Sequence, residues 1–407
     1  MTSVKHPPSL NDGKTVVNNL RRALAQMLAG VGADVEEPQE ISRRFGVDKT
    51  LAWRIARAIR EDDPWASLQH LPTRHGIGIF VSAMNKHGAT PEAVAALWER
   101  VAAFEQFVEA HARDRETLEM MVNVGPRRSS EKRMEAFRKA GFQSNCALLG
   151  VRAAAQIKAN FVAPSATPGM VDVATLSGLV DFCRLRPEVS WAVASIRNWG
   201  GKPGELPGQS PGIEAISGSI VDPQSCLIPD FCSQPLPEIR IDENPEGMLR
   251  YLLAEGPIGY SVAATVMTGW LYRSTASTRE AYPGEIGEHG AYLTTPAEVL
   301  VADLFVHRDL AFALNVKVRV YSQFPGGPRY PDKGSEAALL PVPCDVVDLG
   351  VGPPDAPVAE FPRYQELARR VADRMKHAIS DFHVFRYRLR YPPIPSLALL
   401  SHPLQPE

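Results

Sequence analysis

The spacing of apolar residues changes near residue 160, and this change constrains the fold more than any other feature of the sequence. Before it, Val17, Leu20, Leu24 and Leu28 recur every three or four residues, as on one face of an amphipathic helix. After it, stretches such as residues 384–391 alternate apolar and charged side chains, which is typical of a strand with one buried face. The sequence therefore predicts a multidomain protein with an N-terminal all-α domain followed by a strand-rich α+β C-terminal domain.

The predicted boundaries follow composition. At 407 residues the chain is long enough for more than one hydrophobic core. We predict an α-helical domain over residues 1–162, a Pro/Gly-rich connecting region over 163–235 and an α+β domain over 236–407. Gly141 is expected to separate two helices, over residues 130–139 and 144–160. In the C-terminal domain we expect strands over 239–242, 316–321 and 384–391, and a helix over 363–379.

Residues 39–57 carry the most informative local pattern, two short helical segments joined at Gly46. Glycine tolerates the positive φ that a tight turn between helices requires. Asp48 directly precedes the second segment, where its carboxylate can accept hydrogen bonds from unpaired backbone N–H groups. Apolar residues fall where two crossing helices would bury them: Ile41, Phe45, Val47, Ala52 and Ile55.

This pattern resembles the helix-turn-helix of bacterial DNA-binding transcriptional regulators over about residues 38–57. Ser42 stands at the crossing of the two helices, where that family more often has alanine. The resemblance implies that the second helix enters the major groove of double-stranded DNA, with its N-terminal residues at base edges. It implies a DNA-binding set that consists of Arg43, Arg44, Lys49, Thr50, Trp53, Arg54 and Arg57.

Charge favours the same interpretation. Residues 41–60 contain six cationic side chains against Asp48 alone, a net +5, in a chain whose net charge is −2. Such a basic island is typical of a surface that faces phosphates. The alternative is an ordinary helix pair whose outer face is solvated. We predict a sequence-specific transcriptional regulator whose C-terminal domain senses a small-molecule effector or forms an oligomer.

A helix over residues 91–110, which begins at Pro91, is a candidate for homodimer formation. Its apolar residues alternate spacings of three and four, as in a short coiled coil: Val94, Leu97, Val101, Phe104 and Val108. A dimer would suit a regulator that reads two half-sites. A helix that packs this face into the core of its own domain fits the spacing equally well.

The C-terminal domain offers an alternative function, an enzyme or metal-binding protein. Its site would lie around His289, Asp303 and His307, and the last two would share one face of a strand. With three further acidic residues they form the densest set of acid–base or ligand-type side chains in the sequence: Asp309, Glu285 and Glu288. Arg386, Arg388 and Arg390 would also share a strand face, directed at an anionic ligand, at nucleic acid or at solvent. The regulator interpretation assigns no catalytic residue, no metal ligand and no cofactor.

Cysteine content and the N-terminal residues bear on location. Five thinly spread cysteines are typical of reduced thiols rather than of a disulfide framework. No apolar signal core follows Met1, and the longest uncharged run, residues 256–271, is short for a bilayer crossing. We therefore expect a cytoplasmic protein that does not associate with membranes.

Overall fold

The computed structural model describes residues 10–123, 131–197, 212–217, 226–243, 248–322, 338–352 and 357–406. The chain forms two compact units, residues 1–130 and residues 131–407. The first contains helices and the second is rich in strands, as the sequence predicts. The division between them lies upstream of the predicted boundary at residue 162.

In the described residues, unit 1 is built from helices whose apolar faces meet in one core. They are α1 (Leu10–Gly30), α2 (Pro38–Phe45), α3 (Lys49–Arg60), α4 (Pro64–Ser67), α5 (Arg74–Lys86), α6 (Pro91–Ala112) and α7 (Arg115–Asn123). The predicted end of the first helix near Gly30 is confirmed. Threonine side chains cap two of these helices: the hydroxyl of Thr73 accepts a hydrogen bond from a backbone N–H in the first turn of α5, and that of Thr90 does the same in α6.

The apolar face of α6 lies inside unit 1. Leu97, Val101, Phe104 and Val108 are buried and pack in the same core as Leu20 of α1. The structure thus shows the core-facing alternative, and the predicted dimer seam on this face is wrong. The physical reason is that α1 presents a complementary apolar stripe within the same chain, which buries the face without a partner.

In the described residues, unit 2 contains two helices and thirteen strands. These elements are α8 (Glu131–Leu149), β1 (Val151–Pro164), β2 (Met170–Arg184), β3 (Trp191–Arg197), β4 (Ile213–Ala215), β5 (Ile239–Glu243), β6 (Met248–Leu253), β7 (Ala264–Ser277), β8 (Ile286–Leu293), β9 (Ala297–His307), β10 (Lys317–Ser322), β11 (Val346–Val351), α9 (Tyr364–Met375), β12 (Phe382–Arg390) and β13 (Ser396–Pro403). The strands and the helix predicted from residue 239 onward are confirmed within a few residues at each end.

A seven-stranded sheet organises unit 2, in the order β11-β12-β9-β1-β2-β7-β4. Its neighbours are antiparallel except β1 and β9, which run parallel. Helix α9 packs Leu367 and Val371 on one face of this sheet, against Phe305 of β9. The sheet β10-β13-β8 packs on the other face, where Leu400 meets Leu304. A third sheet has the order β3-β6-β5.

The predicted helix over residues 144–160 is wrong. α8 continues through Gly141 to Leu149, and residues 151–164 form β1. Gly141 is exposed, so a helix can include it at a cost of about 1 kcal/mol. Although alanines in residues 151–164 favour a helix locally, their alternate burial shows period two, and pairing with β2 and β9 decides the outcome.

Strands β2, β3 and β4 lie within residues 163–235, so that stretch is not merely a connecting region. It contributes β2 to the centre of the large sheet. Its richest Pro/Gly segment, residues 198–211, lies outside the described residues. Among the described residues, no helix has the length and apolar character needed to cross a membrane.

Candidate functional site

The turn between α2 and α3 has the geometry that its sequence predicts. Gly46 follows α2 with φ 64° and ψ 27°, and a Cβ there would meet no atom within 4 Å. Glycine is therefore favoured by backbone conformation rather than by space. The Asp48 carboxylate accepts hydrogen bonds from the N–H groups of Thr50 and Leu51, at 2.8 and 3.2 Å. Ser42 Oγ donates to the Val47 carbonyl at 2.7 Å, which ties the end of the turn to α2.

The inner face of this helix pair is apolar and closed. The five residues predicted to lie between the helices are each no more than 4% exposed: Ile41, Phe45, Val47, Ala52 and Ile55. Burying such side chains stabilises each by roughly 1.5–3 kcal/mol relative to exposure. The orientation of α3 is thus fixed by packing, and its opposite face is directed outward.

The outward face of α3 is cationic and open near the helix N-terminus. Lys49, Thr50, Trp53 and Arg57 are exposed, as is Arg43 on α2. Within the part of the chain that the structure describes, neither Arg43 nor Lys49 forms a hydrogen bond or an ion pair. We call these five residues the α3 face. The charges of Arg43 and Lys49 are therefore available to a polyanion.

Trp53 stands at the middle of the α3 face with 49% of its surface exposed. Its ring meets that of His70 edge to face, with centroids 5.7 Å apart at 90°. Such contacts limit the rotamers of an exposed aromatic ring. The contact with His70 therefore helps to hold Trp53 as an apolar surface between the cationic side chains.

Arg54, which the sequence places on the DNA side, is half-buried and turns toward the unit itself. Its Nη2 donates to the Leu71 carbonyl at 3.0 Å, and Arg115 Nη2 donates to the same oxygen at 2.7 Å. Burial lowers the pKa of Arg115, and the charge of nearby Arg54 adds to that effect while Glu119 opposes it. Arg54 is thus at least partly a residue that holds the segment after α3 in place.

The remaining arginines of the basic island have partners inside unit 1. Arg44 donates to the Gly32 carbonyl at 2.8 Å and lies 4.9 Å from the Phe45 ring centroid. Arg57 lies 3.7 Å from the Glu61 carboxylate, and Arg60 lies 2.9 Å from Glu36. Pairing is concentrated at the C-terminal end of α3, so the net +5 of the sequence overstates the free charge.

Two carboxylates border the start of α2. Glu37 and Glu40 are exposed, and a hydrogen bond with the Glu40 side chain, together with its charge, raises the pKa of Glu37. Two carboxylates that are hydrogen-bonded to each other disfavour the state in which both are ionised. Glu37 and Glu40 form an acidic rim at the start of α2.

The three residues of the alternative enzyme site lie on opposite faces of the large sheet. Asp303 shares a face with Phe305, which packs on α9, whereas His289 shares a face with Ala291 and Leu293, which pack on the other side. His289 Nε2 lies 3.2 Å from His402 Nε2, and burial lowers the pKa of His289 to about 3. The structure therefore does not bring His289 together with Asp303 and His307.

Asp303 belongs to a buried ion pair. Its carboxylate accepts two hydrogen bonds from Arg386, at 2.9 and 2.8 Å, and one from the Tyr364 hydroxyl at 2.7 Å. Burial, followed by the charge of Asp303, raises the pKa of Tyr364 well above its ordinary value. Because the three side chains are hydrogen-bonded to one another, the group is suited to holding β9, β12 and α9 together.

His307 has different neighbours, which sequence analysis missed. Its ring centroid lies 4.5 Å from that of His377, which directly follows α9, and Asp381 completes the group. The signal in the sequence is only the four-residue spacing of His377 and Asp381. Nothing in that spacing indicates that β9 brings His307 to them.

Comparisons with known proteins leave the family open. The sequence matches no protein-family model and no curated protein. Among solved structures, a "putative protease" from Parabacteroides distasonis is 7% identical with a TM-score of 0.28. The match covers 62% of this chain and 40% of that chain, so it spans less than half of that protein. A likeness of this size carries no argument about fold or function.

Proposed function

We propose that this protein is a sequence-specific DNA-binding transcriptional regulator, with α3 as the helix that enters the major groove. The observation that carries the proposal is the α3 face, an exposed cationic surface on a helix fixed from behind by apolar packing. A helix held in this way can present side chains to base edges with little loss of conformational entropy on binding.

The roles of individual residues follow from their positions. Lys49 and Thr50 lie in the first turn of α3, where a recognition helix contacts base edges, and Trp53 adds an apolar surface for sugars or thymine methyl groups. Arg43, Arg44 and Arg57 are assigned to phosphates. Arg54 is assigned mainly to positioning, because Leu71 already holds one of its N–H groups.

Unit 2 is assigned the regulatory part of the function. It contains a cavity of about 290 Å³ with charged and aromatic walls, formed by Arg152, Ala154, Asp181, Tyr260, Ala263 and Glu298. This volume is near the lower limit of small-molecule sites, so the proposed effector is a small polar compound. An effector from a compound panel should alter operator affinity in wild type, and Asp181→Asn should weaken that response.

Two further features belong to the proposal. A homodimer would match twofold half-sites, and because α6 is packed internally it would require another surface. The cytoplasm is the proposed location, since a regulator must reach DNA there.

The test begins with selection of bound duplexes from a random library, using the full chain. Lys49→Ala should then weaken binding to the selected operator by about 1–3 kcal/mol, or about 5- to 150-fold. Lys86→Ala is the matched control, since Lys86 is also an exposed helical lysine of unit 1. No enriched sequence, or equal affinity of the two variants, would remove the proposal.

A further inference from the structure

Three ligand-type side chains meet at one end of the large sheet of unit 2. His307 ends β9, His377 follows α9, and Asp381 precedes β12. One ligand atom from each lies within 4.8 Å of the others. Ligands about 2.0–2.2 Å from a tetrahedral zinc ion lie about 3.3–3.6 Å from one another, so the three side chains would have to move together by about 1 Å to reach that arrangement.

The backbone fixes these three positions. His307 is paired with Phe382 in the register of β9 and β12, and the Arg308 N–H donates to the Asp381 carbonyl at 2.8 Å. The His377 N–H donates to the Ala372 carbonyl at 3.0 Å, which ties it to the last turn of α9. Ligands held on three tethered segments lose little freedom when a cation binds.

The ring of His377 has unsatisfied capacity for a ligand, whereas His307 Nδ1 accepts a long hydrogen bond from the Asp309 N–H at 3.3 Å, which a bound cation would have to replace or leave in place by using Nε2. Within the described residues, the His377 ring forms no hydrogen bond. Its centroid lies 4.5 Å from the centroid of the His307 ring, but the two imidazoles are not hydrogen-bonded to each other. The Phe382 ring lies beside both imidazoles, with its centroid 5.5 Å from that of His307 and 6.0 Å from that of His377.

The local field also favours a cation. The C-terminal end of α9, where His377 lies, carries the negative end of the helix dipole. Asp309 Oδ2 lies 3.6 Å from His307 Nδ1 and adds a second carboxylate beside the group. Arg308 opposes it, since its Nη2 lies 3.4 Å from Asp381 Oδ1, but that side chain is 67% exposed and can turn into solvent.

We propose that His307, His377 and Asp381 bind one divalent transition-metal ion, with Zn²⁺ as the expected occupant. Two imidazoles and one carboxylate suit zinc, whereas Mg²⁺ and Ca²⁺ prefer sites built from oxygen ligands. Three protein ligands leave a tetrahedral position for water or an anionic group. The site is independent of the α3 face and shares only His307 with the residues that the sequence suggested.

The test uses the untagged full chain with Cys344→Ser, because Cys344 is an exposed thiol that could bind zinc by itself. After metal removal, Zn²⁺ is titrated in competition with a chromophoric chelator. The proposal predicts one Zn²⁺ per chain and an affinity that millimolar Mg²⁺ does not reduce. Binding of no zinc, or displacement by Mg²⁺, would overturn it.

Two variants locate the ion. His377→Gln and Asp381→Asn should each lower zinc affinity at least about tenfold, and Asn retains an oxygen for the Ala378 N–H that Asp381 now accepts at 3.1 Å. His75→Gln, at an exposed histidine of unit 1, should leave affinity within twofold. Circular dichroism identifies which variants are folded. Unchanged affinity in either folded ligand variant would place the zinc elsewhere and overturn the proposal.

Discussion

The molecule carries two rows of cationic side chains in different surroundings. Each arginine of the row on β12 is paired with a carboxylate: Arg386 with Asp303, Arg388 with Glu360 and Arg390 with Glu135. On the α3 face, Arg43 and Lys49 have no such partner among the described residues. Of these two rows, the α3 face is the one on which the described residues leave cationic side chains without a carboxylate partner.

The difference teaches that formal charge in a sequence does not measure charge available to a ligand. Asp303 and Arg386 are 83 positions apart, and the antiparallel register of β9 and β12 places them opposite each other. The carboxylates of Glu61 and Glu36 pair with Arg57 and Arg60 at the C-terminal end of α3, whereas no carboxylate of the described residues pairs with Lys49 at its start.

Breaking the buried pair of unit 2 should have the largest effect. Asp303→Asn would leave Arg386 as an unbalanced charge whose side chain is only 12% exposed, and should lower the free energy of unfolding by about 3–5 kcal/mol. Urea denaturation measures this loss. Glu360→Gln is the control, because its partner Arg388 is 42% exposed, and it should cost at most about 1 kcal/mol. Equal losses would show that the two pairs do not differ as described.

Acid should destabilise unit 2 through His289. Its folded pKa of about 3 lies below the ordinary value of 6.5, so between these values the unfolded chain binds a proton that the folded chain does not. The contribution of His289 to stability is therefore constant above about pH 6.5 and falls by about 1.4 kcal/mol per pH unit below it, about 2 kcal/mol by pH 5. Urea midpoints between pH 7.5 and 5 should show a shallower slope for His289→Gln. A slope identical to that of His75→Gln would contradict the buried neutral imidazole.

Arg54 and Arg57 of α3 should differ in what they contribute, Arg54 mainly to stability and Arg57 mainly to DNA binding. Arg54→Ala should lower the free energy of unfolding by about 1 kcal/mol, since it removes a charged hydrogen bond to Leu71 while Arg115 still donates to the same carbonyl. Arg57→Ala should leave stability within about 0.5 kcal/mol, because its pair with Glu61 is a surface contact, and should weaken operator binding by about 1 kcal/mol. The Arg54→Ala/Arg57→Ala variant should bind the operator more weakly than either single variant. A stability loss at Arg57 larger than that at Arg54 would reverse the assignment.

The smallest effect is expected at the acidic rim of α2. Replacing Glu37 and Glu40 together by Gln should strengthen binding to random duplex severalfold at low salt, because two carboxylates near the proposed phosphate path are removed. Fluorescence anisotropy at low and high salt measures the gain, which should disappear as salt is raised. Weaker binding after the substitutions would place DNA away from α2.

Local signals in the sequence predicted local structure well. Gly46 and Asp48 act within a few residues of themselves, so the turn before α3 and its cap could be anticipated. Alternation likewise indicated β12 and β10. The strand β1 could not be anticipated, because its alanines favour a helix until β2 and β9 pair with it.

The free or paired state of each charged group depends on contacts between distant residues. Neither the engagement of Arg54 by Leu71 nor the meeting of His307 with His377 follows from spacing along the chain. For the same reason the sequence placed His289 with Asp303, whereas the sheet separates them. Side-chain chemistry was visible in the sequence, but tertiary structure decided which groups meet.

The most direct test is the salt dependence of operator binding by wild type and by the Arg43→Ala/Lys49→Ala variant. Loss of the phosphate contact of Arg43 should make the slope of log affinity against log salt shallower by about 0.9, and loss of the base contact of Lys49 should lower the affinity at every salt concentration. Lys86→Ala should reproduce the wild-type slope. A double variant with wild-type affinity and slope would contradict the assignment of the α3 face to DNA.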